Sequence, residues 1–388
     1  MDRIRKCLSK PSFSTQAPHK PLISRLAKDP NTSLYTITVK ADKSPLLLDL
    51  AGSLVWSTCP PSSVHGTVAC GSSKCGSAAS QQCPRRCLHV GGGQLGESGS
   101  RCACAGNPVT RQCSTAGLTS FPMLANSTDG AMELPPEESF AVLGACAPDR
   151  LLRSLPAGVT GVAGFSRRPL SLPSQLAAQR GFGGKFALCL PVFAIFGDSP
   201  VNLSAPWQAP GYVDYTTIIP DTPLLTNPAN PAGYYIPVKG ISHRHLFDAF
   251  AKAFDDAITR GKGSLTVERV VPAPKPFKLC YRGGFPLLKR PVLPDTPHIN
   301  LELGAGATGN WTLFNNYYMV DGDGAWCLTI LPTGPGGMPV DGDPAVVIGA
   351  TQLENNLLVF DLEKQVLGFS KLLDFSLSSC ISSTFFSN

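Results

Sequence analysis

Charged side chains are scarce in this chain: they make up 15% of its 388 residues, against about 25% in an average domain. The net charge of +6 is spread thinly, and no compact Lys/Arg block occurs. That excludes the concentrated basic footprint of a nucleic-acid binder and leaves a mildly basic surface. No run reaches the roughly 18 uncharged apolar residues of a membrane-spanning helix. The opening stretch MDRIRKCLSKPSFSTQAPHKPLI is basic but has no apolar segment behind the charges, so it is not a recognisable signal peptide. Residues 1–20 are read as an unstructured leader, with Cys7 outside the folded framework. Paired Cys-x-x-Cys units, the usual mark of a structural zinc site, are missing too.

Turn formers, by contrast, abound. With 38 Gly and 36 Pro, long helices must be few, and a β-rich fold with many turns is expected. The length allows two cores. Fourteen cysteines occur, eight of them between Cys59 and Cys113. Cys70, Cys75, Cys83 and Cys87, with His65 and His89, offer a zinc reading, but their spacings are irregular. Disulfides formed in an oxidising compartment are the preferred reading, so no metal and no cofactor is assigned. Asn31, Asn126, Asn202 and Asn310 each begin an N-x-S/T glycosylation motif, which agrees with an extracellular destination in the apoplast or cell wall. Given that destination, the preferred explanation for the missing signal is a true start other than Met1.

Along the chain, Leu34–Val39 alternates as a half-buried strand does. Leu46–Leu50 is a second strand, carrying Asp49. Cys59–Cys113 reads as loops stapled by disulfides, with GGGQLGESGSR as a surface excursion. Gly158–Phe165 is an apolar strand, Pro169–Gln179 a short helix, and Phe186–Gly197 a buried strand pair. The Pro/Asn-rich stretch from Val201 to Ala232 is the expected domain junction. Ser242–Gly261 is the one good helix, its apolar face made by Leu246, Phe247, Phe250, Phe254, Ala257 and Ile258. Strands are expected at Ile299–Leu303, Trp311–Leu313, Ala325–Leu331 and Ala345–Ile348, and a hairpin from Leu357–Phe360 to Val366–Ser370. Asp321-Gly322-Asp323-Gly324 imitates a calcium loop, but Pro332 stands where Glu is needed, so it reads as a hairpin turn. Finally, Gly161-Val162-Ala163-Gly164 is echoed by Val346-Val347-Ile348-Gly349, as duplicated β lobes would give.

LLLDLAGSLVWS, GVAGF, FALCLP and AVVIGATQLENNLLVFDLEKQVLGFS together resemble the pepsin-like aspartic proteases. DLAGSLVWSTC, LANSTDG, ACAP and LLRSLPAGVTGVAG are similar to the narrower plant TAXI-type xylanase-inhibitor branch, which includes extracellular dermal glycoprotein-like proteins. The resemblance spans residues 21–380. It implies a mostly β, bilobal fold with an N-terminal lobe at 21–212 and a C-terminal lobe at 213–388. Members of that branch are secreted and have generally lost protease activity.

Pepsin-type chemistry needs two carboxylates sharing a proton to activate water. Asp49 is followed by Leu50-Ala51-Gly52, so the supporting Thr or Ser hydroxyl is missing while the turn glycine remains. No D-T-G or D-S-G occurs anywhere. Asp221-Thr222-Pro223 and Asp295-Thr296-Pro297 come nearest, but Pro cannot make the Gly turn. The segment expected to hold the second Asp, between Gly240-Ile241 and the Ser242 helix, is absent, and Asn107–Leu118 has no flap Tyr. Asp49 is therefore read as a relic whose carboxylate holds the Ala51-Gly52 turn, and no catalytic residue is assigned. His243 and His245 are read as surface residues.

The resemblance further implies binding to microbial endo-xylanases. Asp374 falls where such inhibitors carry a His, and the Phe285–Leu293 loop offers Phe285, Leu287, Leu288 and Lys289 as contacts. Cys280–Cys327 and Cys189–Cys380 are disulfides by position in the resembling fold, Cys59 and Cys146 are further disulfide candidates, and Cys104 is surplus, a free thiol. Two other functions stay open: a wall or defence glycoprotein that binds another hydrolase or a glycan, and an active aspartic endopeptidase. A monomer without nucleic-acid partners is expected.

Overall fold

The computed structural model describes residues 19–59, 66–69, 71–79, 87–90, 102–205, 211–239, 246–260, 267–285, 299–313, 319–322, 324–331, 344, 346–381, 383 and 385–386. Seven strands close a barrel. In order of pairing they are Leu22–Lys28, Tyr35–Ile37, Leu46–Asp49, Gly161–Gly164, Val55–Thr58, Glu133–Ala147 and Leu118–Thr128, which returns to Leu22–Lys28. Two neighbours run parallel: Gly161–Gly164 beside Leu46–Asp49, and Glu133–Ala147 beside Val55–Thr58. Closure leaves no free strand edge.

Tyr35–Ile37 is buried on both faces, not the half-buried strand its alternation suggested. The reason lies in two cores flanking the barrel wall. Leu46, Val55 and Ala163 enter the main core, while their chain neighbours Leu47, Trp56 and Val162 face a second core shared with Ala78, Ala103 and Ala116 of the cysteine-rich segment. The Trp56 indole N–H donates to the Gly106 carbonyl at 2.9 Å, so the large ring is buried with its polar atom satisfied.

A second sheet grows from the barrel. Phe193–Phe196 pairs with Leu22–Arg25, followed by Lys185–Cys189, Leu357–Asp361, Val366–Phe369 and Asp221–Pro223. FALCLP thus joins the two halves, since Lys185–Cys189 pairs with a strand about 170 residues later. The expected loose junction at 201–232 is partly ordered: Asn202–Ser204 and Tyr212–Asp214 form a hairpin, so a lobe boundary at 212/213 cuts one of its strands.

The first long helix runs Leu172–Arg180, later than Pro169–Gln179, because Ser171 stays extended and its hydroxyl accepts the Ser174 N–H as an N-cap. Gly181, at φ 66°, ends it in the left-handed conformation. The C-terminal helix is Leu246–Arg260. It buries Phe254 and Ile258, with Phe250 and Ala251 partly covered; Ala257 is exposed, outside the apolar face assigned from sequence. Tyr281 fastens this helix by donating to Asp255 at 2.9 Å, and Arg269 pairs with the same carboxylate.

Beneath that helix lie a four-stranded sheet (Glu268–Arg269, Cys280–Arg282, Ala325–Leu328 and Met319–Gly322) and the pair Ile299–Leu301 with Trp311–Leu313. Gly322 pairs with Ala325 in the Met319–Gly322 and Ala325–Leu328 ladder, and Asp323 lies outside the described residues. The strand expected at Ala345–Ile348 is not found: Val346–Gly349 is coil, and Val347 is 66% exposed. A strand exists only with a ladder. The matching Gly161–Gly164 has partners on both sides, and Val346–Gly349 has neither among the described residues.

Candidate functional site

Asp49 ends its strand at a tight turn. Its Oδ1 accepts the Ala51 N–H at 2.9 Å, and its carbonyl accepts the N–H groups of Gly52 (3.1 Å) and Phe165 (2.8 Å). The Gly161–Gly164 strand crosses behind this turn, and Ser166 N–H donates to the Gly52 carbonyl at 3.1 Å. The crossing leaves no room for side chains. A Cβ on Gly164 would lie 2.4 Å from the Gly52 oxygen and 2.5 Å from the Leu54 oxygen; one on Gly52 would lie 2.8 Å from the Gly164 Cα. Burial pushes the Asp49 carboxyl above the usual carboxylate range, opposed by the Ala51 and Gly52 N–H groups, which favour the ionised form. The side chain retains some solvent access, so tight packing around the carboxyl, rather than full enclosure of the residue, carries the shift.

Two other acids, Asp221 and Asp214, serve the fold. Asp221 sits in a strand opposite Gly368 and accepts the Thr308 hydroxyl at 3.0 Å. Asp214 caps the Tyr215–Thr217 turn, accepting from Val201 N–H at 2.9 Å and from Thr216 N–H at 3.0 Å. Asp295, Thr296, His243, His245 and the Gly240–Ser242 region lie outside the described residues. Where a flap would arch over the site, Asn107 anchors its turn instead: its Nδ2 donates to Leu151 and Arg153 carbonyls at 2.7 and 2.9 Å, and its Oδ1 accepts from Val109 and Thr110. Tyr234 approaches from the C-terminal side and donates to the Phe165 carbonyl at 2.6 Å, its phenol held protonated by burial.

The xylanase inhibitor N-terminal description matches residues 35–198 and the C-terminal description matches 239–371. A protein of Oryza sativa subsp. japonica named chitinase CLP is 38% identical, covering 91% of this chain and 89% of its own length. The chain belongs to the xylanase-inhibitor family. Among solved structures, EDGP superposes with a TM-score of 0.76 at 26% identity, covering 95% of this chain and 99% of its own. Conglutin gamma from lupine seeds gives 0.74 at 25% identity, covering 96% and 100%. The fold of this TAXI-type protein is the mostly β, bilobal pepsin-like one.

Of the residues proposed to meet a target enzyme, Phe285 and Asp374 are the described ones. Phe285 is buried in the main core beside Tyr281, so it serves packing and not contact. Leu287, Leu288 and Lys289 lie outside the described residues. Asp374 is half-buried in the Leu373–Ser376 turn, where its carboxylate accepts the Asn355 side-chain N–H; burial raises its pKa and that hydrogen bond opposes the rise. Asn355, at φ 53°, also accepts the Cys380 N–H at 2.8 Å and donates its own N–H to the Leu190 carbonyl at 2.9 Å. One left-handed asparagine thus clamps the C-terminal segment to the inter-lobe sheet. Nothing local in the sequence marks it, because its partners are 19, 25 and 165 positions away.

The TAXI-type framework is bridged at Cys59–Cys146, Cys75–Cys102, Cys87–Cys113, Cys189–Cys380 and Cys280–Cys327. Cys104 is disulfide-bonded as well, which overturns its reading as a free thiol; its spacing gave no hint, since bridges join residues by three-dimensional approach. Cys87, His89 and Cys113 cluster within 4.8 Å, but the two sulfurs are spent on each other and cannot be thiolate ligands. Of the glycosylation candidates, Asn31 and Asn310 are exposed, Asn126 donates to Glu133 at 2.5 Å, and Asn202 lies in a strand.

Proposed function

We propose that this protein acts by binding and not by cutting: a secreted, non-catalytic aspartic-protease homologue that inhibits microbial endo-xylanases in plant defence. The observation that carries the reading is the Asp49 turn, where the carboxylate that would activate water is engaged by its own backbone. A lone acid cannot share a proton, and removing one member of a cooperating pair costs orders of magnitude in rate. The family descriptions support inhibition as the activity. Leu287, Leu288, Lys289 and Asp374 are proposed as contact residues. The lobes are proposed to meet near residues 212–213, and the protein to act as an extracellular monomer glycosylated at Asn31 or Asn310.

The C-terminal lobe is further proposed to lack the segment bearing the second Asp. Two observations support this: Val346–Gly349, which has no strand partner among the described residues, and an alignment to the rice relative that runs over 404 positions, more than this chain's 388 residues. A full-length transcript would test it. The function is tested by titrating the purified protein into microbial endo-xylanase assays from pH 4 to 7. Loss of xylanase activity is expected, and no inhibition at any pH would sink the reading.

The rice relative's name favours a second reading, action on or binding to a chitin-type glycan. Glycoside hydrolysis needs two carboxyls about 5–10 Å apart across a cleft. Incubation with colloidal chitin separates the readings: sedimentation with the polymer without release of sugar means binding, and released oligosaccharide means catalysis. Acid digestion of haemoglobin sensitive to pepstatin would revive the protease; none is expected.

A further inference from the structure

We propose that the cleft between the first barrel strand and the C-terminal segment binds a monocarboxylate with an apolar body. The cleft holds about 400 Å³ and is walled by Leu26, Pro191, Val192, Ile381 and Phe386, with Arg25 and Ser383 as its polar members. The lining surface is divided almost evenly between polar and apolar, as suits a ligand with a polar head and an apolar body, and the volume falls in the range small-molecule sites occupy.

The polar members define the ligand. The Arg25 guanidinium lies 4.1 Å above the Phe386 ring, and one of its nitrogens is 3.4 Å from Glu133, yet the side chain is 56% exposed. A guanidinium carries five N–H donors in a planar fork, so donors remain for a second carboxylate. Ser383 is 9% exposed, lines the cleft, and its hydroxyl has no hydrogen-bond partner among the described residues. The hydroxyl oxygen keeps solvent access, so a ligand oxygen would take the place of water on it. Ile381, 77% exposed, presents apolar surface that a ligand's body would cover. An amine would be repelled by Arg25, and a neutral apolar molecule would desolvate the guanidinium without pairing it.

The cleft is preformed. The Cys189–Cys380 bridge holds its outer wall, the Phe385 ring packs against Phe193 at 4.8 Å, and the Phe385 carbonyl accepts the Glu133 N–H at 3.2 Å. Binding there would order little that is not already ordered. The site is independent of the Asp49 turn and of whichever enzyme the protein inhibits.

The test is calorimetric titration of the full chain with 4-methylcinnamate, with octanoate, and with the methyl ester of the former as a neutral control. At least one acid should bind at sub-millimolar concentration, and the ester about tenfold or more weaker, as loss of a charge-assisted hydrogen bond implies. Arg25→Gln should weaken the acid by about the same factor and leave the ester unchanged, and Ser383→Ala should weaken the acid without altering the melting temperature. Tighter 4-methylcinnamate would assign an aromatic acid, and tighter octanoate an aliphatic one. Equal binding of acid and ester, unchanged acid binding in a folded Arg25→Gln protein, or no binding of either acid at millimolar concentration would overturn the proposal.

Discussion

Replacing Cys189 and Cys380 by Ala should cost more stability than removing any bridge local to one lobe. The residues are 191 apart, and both are fully buried. In the chain-entropy description, cross-linking a loop of that length lowers the denatured-state entropy by about 5 kcal/mol at 25 °C. The nested Cys280–Cys327 bridge shortens the effective loop by 47 residues, but the dependence is logarithmic, so the figure barely moves. The Cys280–Cys327 loop on its own gives about 4 kcal/mol. Those two cysteines are equally buried, so the packing loss on substitution by Ala is matched and the pair serves as an internal control. Guanidinium denaturation followed by tryptophan fluorescence would measure both double variants. The expected order is a larger loss for Cys189/Cys380, together with weakened ligand binding in the C-terminal cleft. A loss below about 1 kcal/mol, or the reverse order, would refute the loop argument.

Three further outcomes follow from the site. Asp49 has a raised pKa, so its contribution to stability is complete below the ordinary value of 3.8 and is lost as pH rises through the folded-state value. Asp49→Asn keeps an acceptor for the Ala51 N–H and cannot ionise; melting curves should show the variant gaining on the wild type between pH 4 and 7, and a constant difference would contradict the assignment. Gly164→Ala drives a methyl into two backbone carbonyls that cannot retreat, so a loss of about 3 kcal/mol or more, or failure to fold, is expected in expression and denaturation assays. Tyr234→Phe strips the donor from the Phe165 carbonyl and should cost about 1–3 kcal/mol in urea titrations; an unchanged midpoint would mean that water replaces the phenol.

Much of the N-terminal half was readable because its signals are local. Short apolar runs gave the Asp49 and Gly164 strands. The turn role of Asp49 followed from the same logic, since its donors are two and three residues away. What stayed hidden depends on distant partners. Val346–Gly349 has the composition of a strand and no ladder to join among the described residues. Phe285 looks like a loop contact until Tyr281 and the core close over it. Tyr35–Ile37 is buried twice because a segment some 70 residues later covers the barrel's outer face. Arg25 and Phe386, at opposite ends of the chain, carried no sequence signal at all.

The first barrel strand has a consequence for how the chain is made. Leu22 and Ile23 pair on one side with Ser127 and Asn126 and on the other with Phe196 and Ile195, so the strand is complete only when residue 196 has been synthesised. At ribosomal speed that is a wait of roughly 10–30 s, during which an apolar strand has one partner or none. Lys185–Cys189 then waits a similar interval for Leu357–Asp361, and Cys189 waits longer still for Cys380. Cys189 emerges after the cysteines of the first lobe, and its partner follows 191 residues later. The protein's riskiest moment for mispairing therefore falls between its two halves, and the folding compartment has to shelter that one strand until the C-terminal hairpin arrives.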